Sequence, residues 1–506
     1  MKNPLYFFVA IITCLTLSTI LSGITLSFLE KERKPERVIT SMEEKYLNIH
    51  PNEYSPLSLN DIHIPEIIPI STFGLKIYNG SSWKDSENEE DNPFDYTKPT
   101  VIYTHGMGTG SGIDNPNLWF SKGYNVCHFL WGPFSDDMPT NGQDKVWSTG
   151  KYLGQDKNIL SFKDTLWSSG SSKTYSTDVP DHSITEIYAA YYFDLLMRED
   201  YTGSEIRFYG HSLGAQLNLA LTNYLIYCLE NGIIPISVLP DKVTLLDPYI
   251  ADFDSNLICS WNGENMLGGS AKKALDTSIK AKQLGIAIEE IRTSEWVALA
   301  AYVNGGEFYE GFKSNIMYSH VDTNFLFNEL PMTSAIERMH VIAEFWYADM
   351  MSADILFESN SSSYAMSPFS SKEYVYARMG NSYEINFSET ASDLSDDSVT
   401  SDISKAKVGG FIYKDSNNNG IFDERLKNQL LGVRISLLDE NNNELVSMAT
   451  NLNGYFSFDL EIGKTYKLLV NEESGYRLGN LSSENFQIFD AKELLIINIP
   501  MLKDPA

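Results

Sequence analysis

The chain is poor in cysteine and in positive charge. Its 506 residues hold four cysteines, Cys14, Cys127, Cys228 and Cys259. Cys14 lies in an apolar N-terminal run, so three remain for the body. An odd three with no metal-type spacing excludes a disulfide framework and leaves buried free thiols or a single Cys228–Cys259 bridge. Lys and Arg number 38 against 67 Asp and Glu, a formal net charge of −29. That balance excludes nucleic acid as a partner and disfavours anionic membrane surfaces, because the chain's own field repels both. The hydrophobic share of 43% and aromatic share of 12% are those of a packed globular protein. At this length two or three cores are expected.

What the chain has in plenty is an uncharged leader. Residues 5–29 carry no charge and end at Glu30-Lys31-Glu32-Arg33-Lys34. Twenty-five such residues suffice to cross a bilayer, so residues 1–30 read as a signal peptide or a retained membrane anchor. Residues 31–70 are polar and proline-containing and read as an N-terminal extension.

From residue 71 strand and helix signals alternate. Residues 74–78, 100–104, 124–131, 205–209 and 242–246 read as strands, and 184–198 and 214–229 as helices. This order predicts an α/β domain with a mostly parallel sheet over 71–352. Residues 262–305 carry helix signal and no strand. Trp296, Leu299, Ala300 and Val303 supply an apolar face for a roof over a site or for plain packing. Residues 353–405 are rich in Ser and Asp and read as a linker. Residues 406–506 hold at least five short strands separated by turn residues, which predicts a small all-β sandwich.

The chemistry centres on Gly210-His211-Ser212-Leu213-Gly214, placed between a strand and a helix. A serine between two glycines at such a turn is a nucleophile elbow, tight enough to lift the hydroxyl clear of the sheet. A tetrahedral intermediate then needs two backbone N–H donors. Leu213 supplies one, and Met107, in the glycine-rich turn His105-Gly106-Met107-Gly108 after a strand, supplies the other. The acid expected next in chain order is Asp247, at the end of the 242–246 strand, with Asp252 and Asp254 as alternatives. Two histidines follow, His320 and His340. His320 ends a strand-like run, whereas His340 stands in a loop before a helix and is the expected base. His211 is expected to pack beneath the elbow.

These residues resemble the pancreatic-type lipase family of the α/β hydrolases in Gly-His-Ser-Leu-Gly-Ala at 210–215, Leu-Asp-Pro at 246–248, and His340 with Ala343, Trp346 and Asp349 at three-residue steps. Met107 stands where that family has an aromatic, Gln216 where it has a second histidine, and the cysteines around its lid are missing. The resemblance implies an α/β-hydrolase fold and cleavage of an ester or lipid substrate through an acyl-enzyme. Ser212 would be the nucleophile, His340 the base, Asp247 the orienting acid, and Met107 and Leu213 the oxyanion donors. A peptidase or thioesterase would use the same groups, and a surface binding protein with an inactive hydrolase-like domain is the rival class.

In the C-terminal part, Asp415, Asn417, Asn419, the Ile421 carbonyl and Asp423 alternate as in the first half of an EF-hand loop and form a candidate calcium site. Position twelve is Leu426 rather than a glutamate, with Glu424 nearby. With the segments 431–439 and 451–458, this stretch resembles the B repeats of serine-aspartate repeat surface proteins. The resemblance implies a calcium-stiffened β-sandwich in a spacer or targeting role, and calcium there is structural rather than catalytic.

Overall fold

The computed structural model describes residues 56–503 apart from short segments, the longest being 109–115, 153–159, 164–172, 295–307, 352–366, 387–397, 417–429 and 479–485. Ten strands form one large sheet: β1 (Phe73–Tyr78), β2 (Trp83–Asp85), β3 (Thr100–Thr104), β4 (Asn125–Trp131), β5 (Ile206–His211), β6 (Lys242–Leu246), β7 (Ala287–Arg292), β8 (Met317–Asp322), β9 (Ser382–Asn386) and β10 (Ser398–Ser401). Their order is β10-β9-β8-β7-β6-β5-β3-β4-β1-β2. From β4 through β9 every pairing is parallel, and β1, β2 and β10 add antiparallel edges. Strands β3 and β5 to β7 are buried throughout, as a sheet covered on both faces requires.

Helices α1 (Ile184–Leu196) and α2 (Leu213–Glu230) pack together on this sheet, and α3 (Gly269–Gln283) lies against α2. Ser183 opens α1 with a full capping box, its hydroxyl accepting from the Glu186 N–H while the Glu186 carboxylate accepts from the Ser183 N–H. Helix α4 (Met332–Asp349) buries Ala335, Met339, Ala343 and Trp346. Helix α5 (Lys372–Ala377) lies against β7.

Four expectations change. The stretch 262–305, expected to hold no strand, contains β7, a central strand. Its sequence Ala-Ile-Glu-Glu-Ile-Arg is too polar to read as a buried strand, but the charges are paired in the fold. Glu289 meets the Lys242 ammonium at 2.9 Å, and Glu290 meets the Arg292 guanidinium at 2.7 Å. The apolar face assigned to Trp296, Leu299, Ala300 and Val303 lies outside the described residues. The segment 353–405, expected as a linker, supplies α5, β9 and β10; Tyr383 and Ile385 alternate inward with polar neighbours and bind the segment into the sheet. The end of the extension also joins the α/β core, burying Ile62 and Ile68. Cys127 and Cys228 are free buried thiols, which removes the Cys228–Cys259 bridge.

The C-terminal part is a two-sheet sandwich. One sheet contains β11 (Ala406–Lys414), β14 (Tyr455–Leu460), β16 (Tyr476–Leu478), β18 (Leu494–Ile496) and β19 (Ile499–Lys503). The other orders β12 (Arg434–Asp439), β13 (Glu444–Ala449), β15 (Thr465–Val470) and β17 (Phe486–Asp490) as β13-β12-β15-β17. Val408, Ile412, Ile435, Leu437, Phe456 and Leu468 fill the space between them. Helix α5 touches this sandwich directly, with the Tyr376 and Tyr455 rings 4.2 Å apart, edge to face. Among the described residues no helix is long and apolar enough to cross a membrane, and the leader lies outside them.

Candidate active site

Ser212 sits between β5 and α2 with φ 56° and ψ −123°, a conformation that costs a residue bearing a Cβ roughly 1–3 kcal/mol. Surrounding hydrogen bonds hold it there. Its N–H donates to the Leu246 carbonyl at 3.0 Å, and its carbonyl accepts from Tyr249 N–H at 3.2 Å. The turn bearing the serine is thus tied to the turn bearing Asp247. Neither flanking glycine could carry a side chain. A Cβ at Gly214 would lie 2.2 Å from the Thr104 carbonyl oxygen, and one at Gly210 would lie 2.8 Å from the Gly214 backbone. The close approach at Gly214 sets α2 directly against the end of β3, where the glycine-rich turn begins.

That turn packs on the serine, since a Cβ at Gly106 would meet the Ser212 Cβ at 3.0 Å. His105 orients it. Its Nε2 accepts from the Trp131 N–H at 3.1 Å, so the ring's proton is on Nδ1, which donates to the Gly106 carbonyl at 2.8 Å. In a trans peptide the carbonyl and the following N–H point in opposite directions. Fixing the Gly106 carbonyl therefore fixes the direction of the Met107 N–H. The Leu213 N–H belongs to the first turn of α2, where backbone donors have no partner within the helix and the helix dipole favours negative charge.

Asp247 follows β6 with φ 40° and is fully buried. Its Oδ1 accepts from the Thr293 and Ser294 N–H groups, both at 3.1 Å, and its Oδ2 accepts from the Ser294 hydroxyl at 2.7 Å. Two further donors reach it: Arg292 Nη1, 3.5 Å from Oδ1, and His340 Nδ1, 2.5 Å from Oδ2. A carboxylate only accepts here, so Nδ1 carries the proton and Nε2 is left with its lone pair. Burial raises the Asp247 carboxyl, but the His340 hydrogen bond and the Arg292 charge outweigh it and hold the group below its usual range. The His340 side chain keeps 21% of its surface exposed against 0% for Asp247, so the acid is dry and the base faces an opening.

The structure thus brings Asp247 and His340 into contact and sets Gly106, Ser212 and the Leu246–Tyr249 turn against one another. It corrects the setting of His340, which stands inside α4 rather than in a loop before it, because the buried run Ala335, Met339 and Ala343 continues the helix upstream. His320 stands apart on β8 with its Nδ1 2.7 Å from Glu384. His211 lies beside His340, ring centroids 4.5 Å apart, and its Nε2 donates to the His340 carbonyl at 2.8 Å. The sequence carries no signal for Arg292, or for Thr293 and Ser294 just after it, as partners of Asp247, because the strand that ends at Arg292 reads as helix. Of the candidate calcium ligands, Asp415 is buried at the end of β11 and donates its N–H to the Met501 carbonyl. Asn417, Asn419, Ile421 and Asp423 lie outside the described residues.

The buried histidines make the body acid-sensitive. Burial pushes His105 down from 6.5 to about 4, while burial also lowers His128 and His211. Below pH 6.5 the unfolded chain takes up protons that the folded chain refuses until near pH 4. Stability is therefore complete above 6.5 and is lost as pH falls toward 4, with His105 alone contributing on the order of 3 kcal/mol. Urea midpoints at pH 7.5, 6.0 and 5.0 are expected to fall in that order; equal midpoints would contradict neutral, buried rings.

Residues 406–491 match the model of the SdrD B-like domain. Over 96 residues the chain is 34% identical to serine-aspartate repeat-containing protein D of Staphylococcus aureus, in both strain Newman and strain MW2. The match takes in 18% of this chain, which spans only 7% of the length of those curated relatives. Among solved structures, the Bacillus anthracis TIE protein is 17% identical, with 21% of this chain and 18% of that one covered at a TM-score of 0.16. The minor pilin GBS52 of Streptococcus agalactiae is 15% identical, with 22% and 50% covered and the same TM-score of 0.16.

Proposed function

We propose that the α/β part of this chain is a serine hydrolase of carboxylic esters, with an α/β-hydrolase fold, working outside the cytoplasm with the B-like domain as its spacer or targeting module. The observation that carries the reading is the 2.5 Å contact of His340 Nδ1 with a buried, multiply hydrogen-bonded Asp247, cross-linked through Leu246 and Tyr249 to a serine in a strained turn. A strained residue kept in place by its surroundings is a mark of a working site. The central order β4-β3-β5-β6-β7-β8, with the serine after β5 and the acid after β6, supports the same reading.

In this mechanism His340 Nε2 takes the Ser212 hydroxyl proton as Oγ adds to the ester carbonyl. Asp247 holds the imidazole in the required tautomer and balances the imidazolium. The oxyanion forms against the Met107 and Leu213 N–H groups. Collapse expels the alcohol, which receives the proton from His340, and water then repeats the sequence to release the acid. The test is reaction with a fluorophosphonate probe and a series of p-nitrophenyl esters of increasing chain length. Covalent labelling at Ser212 with turnover is expected, and a folded protein that neither labels nor turns over would end the reading.

A second reading is favoured by the SdrD B-like domain: a surface binding protein whose α/β part is inactive. The resemblance of that segment to the B repeats of serine-aspartate repeat proteins also supports the extracytoplasmic location. Calcium held by residues of the 415–423 segment would serve the sandwich in either reading. Failure to label Ser212 favours the binding protein.

A further inference from the structure

Beyond Asp247 lies a fully buried polar cluster that the mechanism above does not use. Arg292, the last residue of β7, has no exposed surface. Its Nη1 donates to the Pro248 carbonyl at 3.1 Å and stands 3.5 Å from Asp247 Oδ1. Its Nη2 lies 2.7 Å from Glu290 Oε1 and 2.6 Å from the Tyr309 hydroxyl, and its Nε is 2.9 Å from the same Glu290 oxygen. Tyr309 closes the loop by donating to Glu290 Oε1 at 2.5 Å. A guanidinium this far from water is costly unless its donors are satisfied, and here Glu290, Tyr309 and Pro248 satisfy them.

Resting on the hydrolase reading, we infer that Arg292 is a positioning residue for the triad: clamped by Glu290 and Tyr309, it fixes the Asp247–Pro248 turn and the charge on Asp247, and through them the orientation of His340. The charge arithmetic supports this role. Asp247 and Glu290 are two buried acids facing one guanidinium, while burial leaves Tyr309 and Tyr318 neutral phenols. A proton arriving on His340 brings this cluster to balance. Arg292 thus holds the resting carboxylate ionised without cancelling the attraction that the imidazolium feels. Its burial keeps it from substrate, so its effect passes through the Asp247–Pro248 turn.

The test uses the full chain, with active sites counted by fluorophosphonate titration. Arg292→Met is expected to lower kcat per active site on the order of ten- to a hundredfold with KM unchanged, the range seen when a residue that orients a reacting group is lost. The groups facing the guanidinium are Asp247, Glu290, Tyr309 and Tyr318; the His340 ring beyond Asp247 is faced in turn by Asp247 and by the His211 ring, whose Nδ1 lies 3.6 Å from Glu344. Removing the cation lets Asp247 attract the imidazolium more strongly, so the acid limb of kcat/KM moves to higher pH. Arg292→Lys restores part of kcat, because it returns the charge without the planar fork. A solely structural role would lower the melting temperature and leave the acid limb in place, and that result overturns the inference. Should Arg292→Met not fold, Tyr309→Phe keeps the cation and loosens its clamp; kcat several-fold down at constant KM supports the inference, and wild-type kcat overturns it. A wild type without labelling or turnover instead overturns the hydrolase reading beneath it.

Discussion

Replacing Ser212 by alanine is expected to reduce kcat on p-nitrophenyl esters by about a million-fold, the scale on which nucleophile loss disables a serine triad. The fold should survive, since the Ser212 backbone supplies the bonds to Leu246 and Tyr249 and alanine keeps them. Alanine also keeps the strain, because the cost at φ 56° and ψ −123° belongs to any residue with a Cβ. Ser212→Gly separates the two effects. It is equally inactive, yet relief of about 1–3 kcal/mol raises the melting temperature by several degrees in a body of this size. Activity assays and thermal melts on the three proteins check both halves. An alanine variant that still turns over, or a glycine variant that melts lower, would contradict the role assigned to the turn.

Which parts of this arrangement the sequence reveals depends on whether a side chain's task is local. The elbow is legible because its signature lies within five residues, although only Gly210 answers a local demand, from the Gly214 backbone; Gly214 answers the Thr104 and His105 carbonyls, brought up from the distant end of β3. Strands β3 and β6 are legible as short runs rich in apolar and β-branched residues, and β5 as an alternation around Ile206 and Phe208; all three are buried on both faces. Strand β7 is not legible. Glu289, Glu290 and Arg292 are acceptable in a central strand only because Lys242, Tyr309 and Asp247 meet them, and those partners come from distant segments. A pattern rule sees charge and infers a solvated helix. Strand β9 hides for a related reason, its inward Tyr383 and Ile385 alternating with Ser382, Glu384 and Asn386 amid serine-rich sequence. The position of His340 within α4 is lost because the loop-like Met332-Thr333-Ser334 precedes it, while the helix is completed by burial of Ala335 and Met339 in a separate cluster with Leu326 and Ile342. The candidate triad could be chosen by residue type and chain order; the buried groups that hold Asp247 could be found only by folding.

Asp247→Asn is expected to lower kcat by about ten-thousandfold, the loss that follows when the triad acid can no longer select the imidazole tautomer. The amide is nearly isosteric, so the geometry can stay. If its oxygen keeps the Thr293 and Ser294 N–H donors, its NH2 faces His340 Nδ1. The ring must then accept at Nδ1 and carry its proton on Nε2, where the serine hydroxyl needs a lone pair. The same flip sets the NH2 against the Ser294 hydroxyl, which can rotate to accept from it, so folding is less affected than turnover. Two controls separate tautomer control from simple loss of charge. His340→Ala should be as damaging as Ser212→Ala, while His320→Ala, whose ring meets Glu384 on β8, should retain wild-type kcat. Activity in Asp247→Asn should also rise with pH more steeply than in the wild type, because hydroxide can substitute for the missing base. Equal turnover of Asp247→Asn and wild type at pH 8 would mean that His340 acts without its acid, and an inactive His320→Ala beside an active His340→Ala would move the base to β8.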